Sequence, residues 1–374
     1  MTGRFDVVVI GAGIAGASIA AELAPHVRVM LAEAEDVPGY HTTGRSAAFW
    51  EECYGGPDIV PLTLASGPFL RDHGFLKQRG ALYVAHEGSE GSIDRFMETF
   101  AGSGVSIERM GRAALEAVIP GIRAEWSLAI SEPACADIDV AGLHQLYLTL
   151  AKAGGAQMRM RHRLQAAERE RAGWRLDFGR EGEVQAGILV NAAGAWADEL
   201  AALAGASPLG IQPLRRTVAQ LRVAPLPPRD LPLVLDIDGK FYFRPEGDRL
   251  WLSPHDETPS VPCDAAADEY DVALAIDRFE RVVDWQVQAV ERRWAGLRSF
   301  APDRLPVYGF DPRQDGFFWF AGQGGYGIQT APAAARLAAQ LLLGQPRDAM
   351  TQALAAALYA PGRLVRAAAA GGAS

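Results

Sequence analysis

Cysteine is scarce: Cys53, Cys135 and Cys263 are the only three in 374 residues, far apart and without metal-ligand spacing. Such a set offers no disulfide framework and no cysteine metal cluster, and reads as free thiols in a reducing compartment. Cations are in deficit, with 36 Lys and Arg against 45 Asp and Glu, a net charge of −9. Binding a phosphate backbone needs clustered cations, so nucleic acid is disfavoured as a partner. No apolar run reaches the length of a membrane span. No internal repeat recurs, and the first strand begins too early to leave room for a signal peptide. The expectation is a cytoplasmic protein with no transmembrane segment and no metal site.

What is present is the ordinary make-up of a soluble globular chain, 49% hydrophobic and 22% charged. Its length exceeds one ordinary core, so two interleaved or sequential domains are expected. The stretch from Phe5 to Glu33 organises the rest. Phe5-Asp6-Val7-Val8-Val9-Ile10 reads as a buried parallel strand. Gly11-Ala12-Gly13-Ile14-Ala15-Gly16 follows, then a helix-like run to Leu23, a stop at Pro25, and a second apolar run from Val27 to Leu31. Gly11 permits a tight strand-to-helix turn, Gly13 lets backbone approach a diphosphate, and Gly16 lets helix and strand pack closely. The helix N-terminus offers unpaired N–H groups to the phosphates. Glu33 closes the second strand, where a carboxylate accepts ribose hydroxyls and argues against a 2′-phosphate. These parts in this order read as a dinucleotide site that disfavours NADP.

Downstream, Arg79–Ala85 alternates as a strand, Ile93–Phe100 has helical spacing, and 107–120 reads as a short strand and a helix ending at Pro120. Asp139–Ala153 is an amphipathic helix, with Asp137 and Asp139 as caps. Residues 157–190 hold three strand-like segments of a meander. From 209 to 300 strand-like pieces separated by proline-rich turns point to a mainly antiparallel sheet, followed by a helix at Ala273–Val283. Phe317–Ala321 is a strand entering a glycine-rich turn before a long alanine-rich helix, and the tail from Ala367 reads as frayed. A strand thus runs into small residues and then a helix at 11, at 192 and at 322. Three such turns spread over the chain suit one long cofactor, FAD rather than NAD. The fold class expected is α/β, an FAD-binding Rossmann-like domain interleaved with an α+β substrate domain on a largely antiparallel sheet. Residues 1–71, 136–208 and 303–374 would form the first, and 72–135 and 209–302 the second.

Five segments carry a family resemblance: the N-terminal fingerprint with Glu33, Gly39–Ala47, Val190–Trp196, Trp294–Phe300 and Gln323–Thr330. Together they resemble the D-amino-acid oxidase superfamily of flavoproteins and, within it, the FAD-dependent D-arginine dehydrogenases, from the first strand to about residue 340. The resemblance implies non-covalent FAD, its ADP half held by Gly11, Gly13, Ile14, Ala15, Gly16 and Glu33. Thr43, Gly44, Arg45, Ser46 and Ala47 would lie by the flavin ring, with Ala193, Gly194 and Trp196 along the cofactor. Gly325, Tyr326, Gly327, Ile328, Gln329 and Thr330 would set a helix N-terminus at the pyrimidine edge, where reduced flavin carries negative charge. Arg298 would pair with a substrate carboxylate and touch the cofactor, Tyr242 would add a hydroxyl donor, and Tyr54 and Arg215 would line the pocket.

The implied reaction is oxidative deamination of a D-amino acid, giving an imino acid and then a 2-oxo acid and ammonia. Electrons would pass to a quinone, another carrier or O2. The arginine-specific relatives carry a glutamate where this chain has Gly80 or Ala81, and a pocket histidine where it has Phe49. Unless Glu51 or Glu52 compensates, a desolvated substrate cation would lack its counter-ion, which favours a neutral or apolar D-amino acid. Oxidation of a 2-hydroxy acid or of a secondary amine such as sarcosine is the alternative, and a flavoprotein subunit needing a partner is a third reading. Each side chain also has a plainer role: Arg298 as a structural ion-pair member, Tyr242 as strand core, one of Arg215 and Arg216 as a solvated strand residue, His41 as a loop hydrogen-bonder, and Glu51 and Glu52 as a solvated face.

Overall fold

The computed structural model describes residues 3–47 and 49–365, so the tail from Ala367 lies outside the described residues. Gly3–Ile10 sits inside an eight-stranded sheet, parallel to Val29–Ala32 on one side and to Glu183–Asn191 on the other. Gln157–Arg159 extends the sheet in parallel beyond Val29–Ala32, and Phe317–Ala321 runs parallel to Glu183–Asn191. These strands are apolar on both faces because both are covered. Val7, Val9, Leu31, Phe318 and Phe320 pack against the helices Ile14–Leu23, Val140–Ala153 and Ala331–Leu343. The alternate residues Val8, Met30, Leu189, Phe317 and Trp319 pack with Trp174, Leu176 and Leu200 on the other face. Parallel strands end at one edge, so the turns at 11, 192 and 322 come together there.

A ten-stranded sheet forms the second layer system. Its spine is the antiparallel pair Gln212–Ala224 and Gln286–Phe300, which runs from Gln212 opposite Phe300 to Ala224 opposite Gln286 with register shifts between Gln220 and Leu221 and between Arg222 and Val223. Arg249–Ser253, Tyr242–Glu246, Leu233–Asp236, Ala81–His86 and Trp126–Glu132 follow in that order, antiparallel except where Leu233–Asp236 runs parallel to Ala81–His86. One face buries Phe241, Phe243, Leu221 and Val234 against Val272, Ala275 and Phe279 of the helix Glu269–Glu280. The opposite face presents Tyr83, Leu233, Leu235, Tyr242, Val218 and Arg216 to a cavity.

Several boundaries differ from expectation. The strand read at Arg79–Ala85 is two, Leu76–Gln78 and Ala81–His86, broken at Gly80, where φ is +81°. A helix at Val60–Asp72 was not legible, because Pro61, Gly67 and Pro68 punctuate it; Pro61 falls in the first turn, where no N–H is needed. The helix placed at 273–283 spans Glu269–Glu280, with the Asp268 side chain accepting the Tyr270 N–H at its start. Asp139 caps Val140–Ala153 through the Gly142 N–H at 2.9 Å. Asp137 is no cap; it pairs with Arg79 at 2.7 Å from the strand Ala136–Ile138. Gln157–Arg159 belongs beside Val29–Ala32 and not to the meander, which is Ala166–Glu170, Gly173–Asp177 and Glu183–Asn191.

Candidate active site

One cavity of about 490 Å³ runs from the fingerprint to the face of the second sheet. At its first end lie Gly11, Gly13, Ile14, Ala15 and Glu33. Gly11 has φ +101°, and a Cβ there would stand 2.5 Å from the Ala192 oxygen, so only glycine passes. The Thr43 hydroxyl accepts the Ile14 N–H at 3.0 Å, seating Thr43 on the N-terminus of the fingerprint helix. Glu33 accepts the Ala12 N–H at 2.7 Å and the Glu35 N–H at 3.0 Å, which fixes its carboxylate at the cavity wall. Gly16 does not face the cavity. A Cβ on it would fall 1.7 Å from the Gly11 oxygen, so its role is close packing of helix on turn.

Along the middle, Arg45, Ser46 and Ala47 line one wall and Ala193, Gly194 and Trp196 another. Arg45 is held by the Ala265 carbonyl at 2.8 Å and by Asp264, and its own carbonyl accepts the Trp294 indole N–H at 2.9 Å. Thr42 donates to the Leu297 carbonyl at 2.7 Å. The Gly39–Ala47 segment is therefore pinned to the strand that carries Arg298. Gly44 lies off the cavity, where a Cβ would meet the Gly39 oxygen at 2.7 Å. His41 packs on Trp196 at 4.7 Å and bonds Glu35 at 3.1 Å, a loop hydrogen-bonder, while its Nδ1 is buried without a partner among the described residues.

At the far end Gly325, Gly327 and Ile328 line the cavity, but Tyr326, Gln329 and Thr330 do not. The helix begins only at Ala331. Tyr326 donates to the Arg304 carbonyl, Thr330 to the Tyr326 carbonyl at 2.8 Å, and Gln329 brackets Glu51 by accepting its N–H and donating to its carbonyl at 3.0 Å. These three are supports behind the wall.

Opposite them stand two buried arginines. Arg298 donates to the Tyr54 hydroxyl at 2.7 Å and to Glu257 at 3.0 Å. Arg216 donates to the Asp256 carbonyl at 3.0 Å. Arg216 Nη2 and Arg298 Nε are buried with no hydrogen-bond partner among the described residues. Burial and the neighbouring Arg298 charge pull the Arg216 guanidinium down to about 10. Burial also pulls on Arg298, but Tyr54 and Glu257 outweigh it and leave it raised. Arg215 is a correction: it turns away to Asp271 at 2.6 Å, outside the cavity. Neighbouring strand residues face opposite ways, and the register sets Arg216 opposite Gly296 and Leu214 opposite Arg298, on the face that lines the cavity.

Tyr54 and Tyr242 line this end, as do Tyr83 and His255, which the sequence alone did not mark, and Arg216, which it marked only as the neighbour of Arg215. His255 adopts φ +57° and bonds the Gly239 carbonyl at 2.8 Å. Burial, with the Arg216 and Arg298 charges, depresses its pKa to about 3, so it is neutral. Glu51 also lines the cavity and is 6% exposed, so it is no solvated face. Burial first and the Glu132 carboxyl second push it up to about 8. Glu52, off the cavity, points to Arg71 at 3.8 Å.

A cavity reaching all three strand-end turns, with an anion-ready helix N-terminus at one end and an unpartnered His41 nitrogen in its wall, fits an extended dinucleotide. Residues 6–341 match the FAD dependent oxidoreductase family. The chain is 25% identical to glycine oxidase of Geobacillus kaustophilus over 91% of this chain and 94% of that one. It is 24% identical to the bovine FAD-dependent oxidoreductase domain-containing protein 1, over 91% and 81%. Among solved structures, that of glycine oxidase from G. kaustophilus superposes with a TM-score of 0.82 over 96% of this chain and 98% of that one, at 24% identity. L-proline dehydrogenase from P. horikoshii superposes with a TM-score of 0.83, at 22% identity, over 98% and 99%. The chain belongs to the FAD dependent oxidoreductase family, the D-amino-acid oxidase superfamily, and FAD is its cofactor.

Proposed function

We propose that this oxidoreductase deaminates a D-amino acid with a neutral side chain at Cα, giving an imino acid that water hydrolyses to a 2-oxo acid and ammonia. Gly11, Gly13, Ile14 and Ala15 would carry the FAD diphosphate, Glu33 the ribose, and Arg45, Ser46, Ala47 and Gly325 the flavin ring. Bound FAD supplies the two-electron acceptor for the substrate's Cα–H. The protein's share is alignment. The observation that carries the reading is the pair Arg216 and Arg298, two buried cations lining the cavity that share the Glu257 carboxylate, at 3.8 and 3.0 Å, while Arg216 Nη2 and Arg298 Nε make no hydrogen bond among the described residues. Two cations leaning on one shared protein carboxylate leave a place for a second anion, and a carboxylate held between two cations has one orientation, so Cα has one face to offer. Tyr54 adds a hydroxyl fixed by Arg298, and Tyr242 a second one. The same two charges disfavour a protonated substrate amine beside them, which favours the free amine that oxidation needs. The D hand rests on the resemblance of the Tyr54, Tyr242 and Arg298 positions to those of the D-arginine dehydrogenases.

Glycine or an N-substituted glycine is the second reading, favoured by the likeness to glycine oxidase, whose name states its substrate. Purified holoenzyme incubated with single D-, L- and N-methyl amino acids and assayed for 2-oxo acid and ammonia decides between them. Product from D-amino acids bearing a side chain, and none from L-forms, supports the first. Product only from glycine and sarcosine overturns it.

A further inference from the structure

Behind the Tyr242 side of the cavity floor three acidic side chains meet out of water. The Tyr83 hydroxyl oxygen lies 2.6 Å from Glu51 Oε1 and 2.9 Å from Glu132 Oε2. A hydroxyl carries one hydrogen. With both carboxyls ionised, one of these contacts would set acceptor against acceptor, at a separation that repels. A second proton must therefore sit in the unit. Glu132 is fully buried and already accepts the Glu52 backbone N–H at 2.6 Å. With the Tyr83 hydroxyl as its second donor, it is the better solvated of the two as an anion. Glu51 takes the remaining role: a carboxylic acid whose O–H reaches the Tyr83 oxygen and whose carboxyl lines the cavity.

The groups that face Glu51 fix what this proton does. Glu132 on Trp126–Glu132 repels its ionised form and Arg216 on Gln212–Ala224 favours that form; the Tyr83 hydroxyl on Ala81–His86, its one hydrogen given to Glu132, is the acceptor for the protonated form. The Cys53 thiol, two residues along, is itself raised by burial and by the Glu132 charge, and stays neutral. Around them Phe49, Phe96, Leu233 and Leu235 give the cavity apolar walls.

Resting on the amino-acid reading above, we propose that Glu51 is the side-chain selector of the cavity. It shares a proton with Tyr83 and Glu132, admits uncharged side chains while that proton is held, and admits cationic ones once it has left. The step is a simple ionisation: the Glu51 O–H bond breaks, the proton leaves to water, and the electron pair stays on the carboxylate as counter-ion for the incoming cation. An acid at this place does not by itself select cations, because at neutral pH it carries no charge.

The test compares anaerobic flavin reduction in the holoenzyme by D-methionine and by D-lysine between about pH 6 and about pH 9.5, a range in which the lysine ammonium stays charged. The ratio of the lysine rate to the methionine rate cancels effects on the shared α-amine. It is expected to rise about tenfold or more with pH in the wild type, following one ionisation, and to stay flat in Glu51→Gln. Infrared difference spectra supply a readout that needs no turnover. A protonated-carboxyl C=O band is expected at neutral pH, lost on alkalisation and missing from Glu51→Gln. Should that variant not fold, Tyr83→Phe serves: there the Glu51 O–H loses its acceptor, so the protonated-carboxyl band is expected to move to higher wavenumber. A pH-independent ratio in the wild type, or no such band, overturns the proposal. Failure of every amino acid to reduce the flavin overturns the amino-acid reading instead, and the infrared band then still decides the Glu51 proton.

Discussion

At the scale of single residues the cavity sets unlike charges to unlike tasks. Arg298 and Arg216 are cations with spare donors, His255 is a neutral imidazole between them and Gly239, and Glu51 is a proton-bearing acid. Arg298→Met removes a fork from the proposed carboxylate clamp, and kcat/KM is expected to fall by roughly 100-fold or more, mostly through KM, in steady-state assays. Arg215→Ala serves as the contrast. Its charge is spent on Asp271, so kcat/KM should stay within about threefold while the melting temperature drops. Stability should have an acid and an alkaline limb. Glu51 has a folded pKa of about 8, raised from the ordinary 4.5, so the folded state holds more protons and loses stability as pH rises through that window. His255 has a folded pKa of about 3, lowered from 6.5, so the unfolded state holds more protons there and stability is lost as pH falls. Thermal melts across pH should therefore show Glu51→Gln flattening the alkaline limb, by about 1–3 kcal/mol near pH 8. A variant that leaves that limb unchanged contradicts the assignment.

At the scale of elements, what was legible and what was not divides by the kind of signal. The fingerprint could be read because each of its steps leaves a residue trace: an apolar strand, glycines at fixed offsets, a helix, a closing acid. Phe317–Ala321 was read to the residue because buried parallel strands are apolar throughout. Arg215 was taken for Arg216 because facing depends on register, and Leu214 opposite Arg298 is a contact between strands over 80 positions apart. Glu132 and Tyr83 stayed invisible for the same reason: they meet Glu51 only once three separate segments pack. Gln329 and Thr330 matched the family motif by position, yet they brace Glu51 and the turn from behind. The Gly16 packing makes a sharp prediction. Gly16→Val would drive a side chain into the Gly11 carbonyl, and the protein is expected to purify colourless or not to fold, as read by the flavin-to-protein absorbance ratio. A yellow, stable variant would contradict the packing role.

At the scale of the whole molecule the chain passes back and forth between the eight- and ten-stranded sheets, and the cavity takes its walls from both. We propose the division given by residues 1–71, 136–208 and 303–374 against 72–135 and 209–302. A ligand held by both parts ties them together, so removing FAD should lower the melting temperature by several degrees, and adding it back should restore it, since saturation at about 100 times Kd contributes roughly 2.7 kcal/mol. Among the described residues no helix is long and apolar enough to cross a membrane. The proposed activity needs no second chain for its first half-reaction, because the clamp and the cofactor turns lie on one polypeptide. The most direct measurement mixes purified holoenzyme, without oxygen or any other acceptor, with one neutral D-amino acid and then with its L-enantiomer, while the visible band of oxidised flavin is followed. Full bleaching by the D-form in a single turnover, and none by the L-form, is expected. Bleaching by the L-form, or only by glycine, sarcosine or a 2-hydroxy acid, would contradict it.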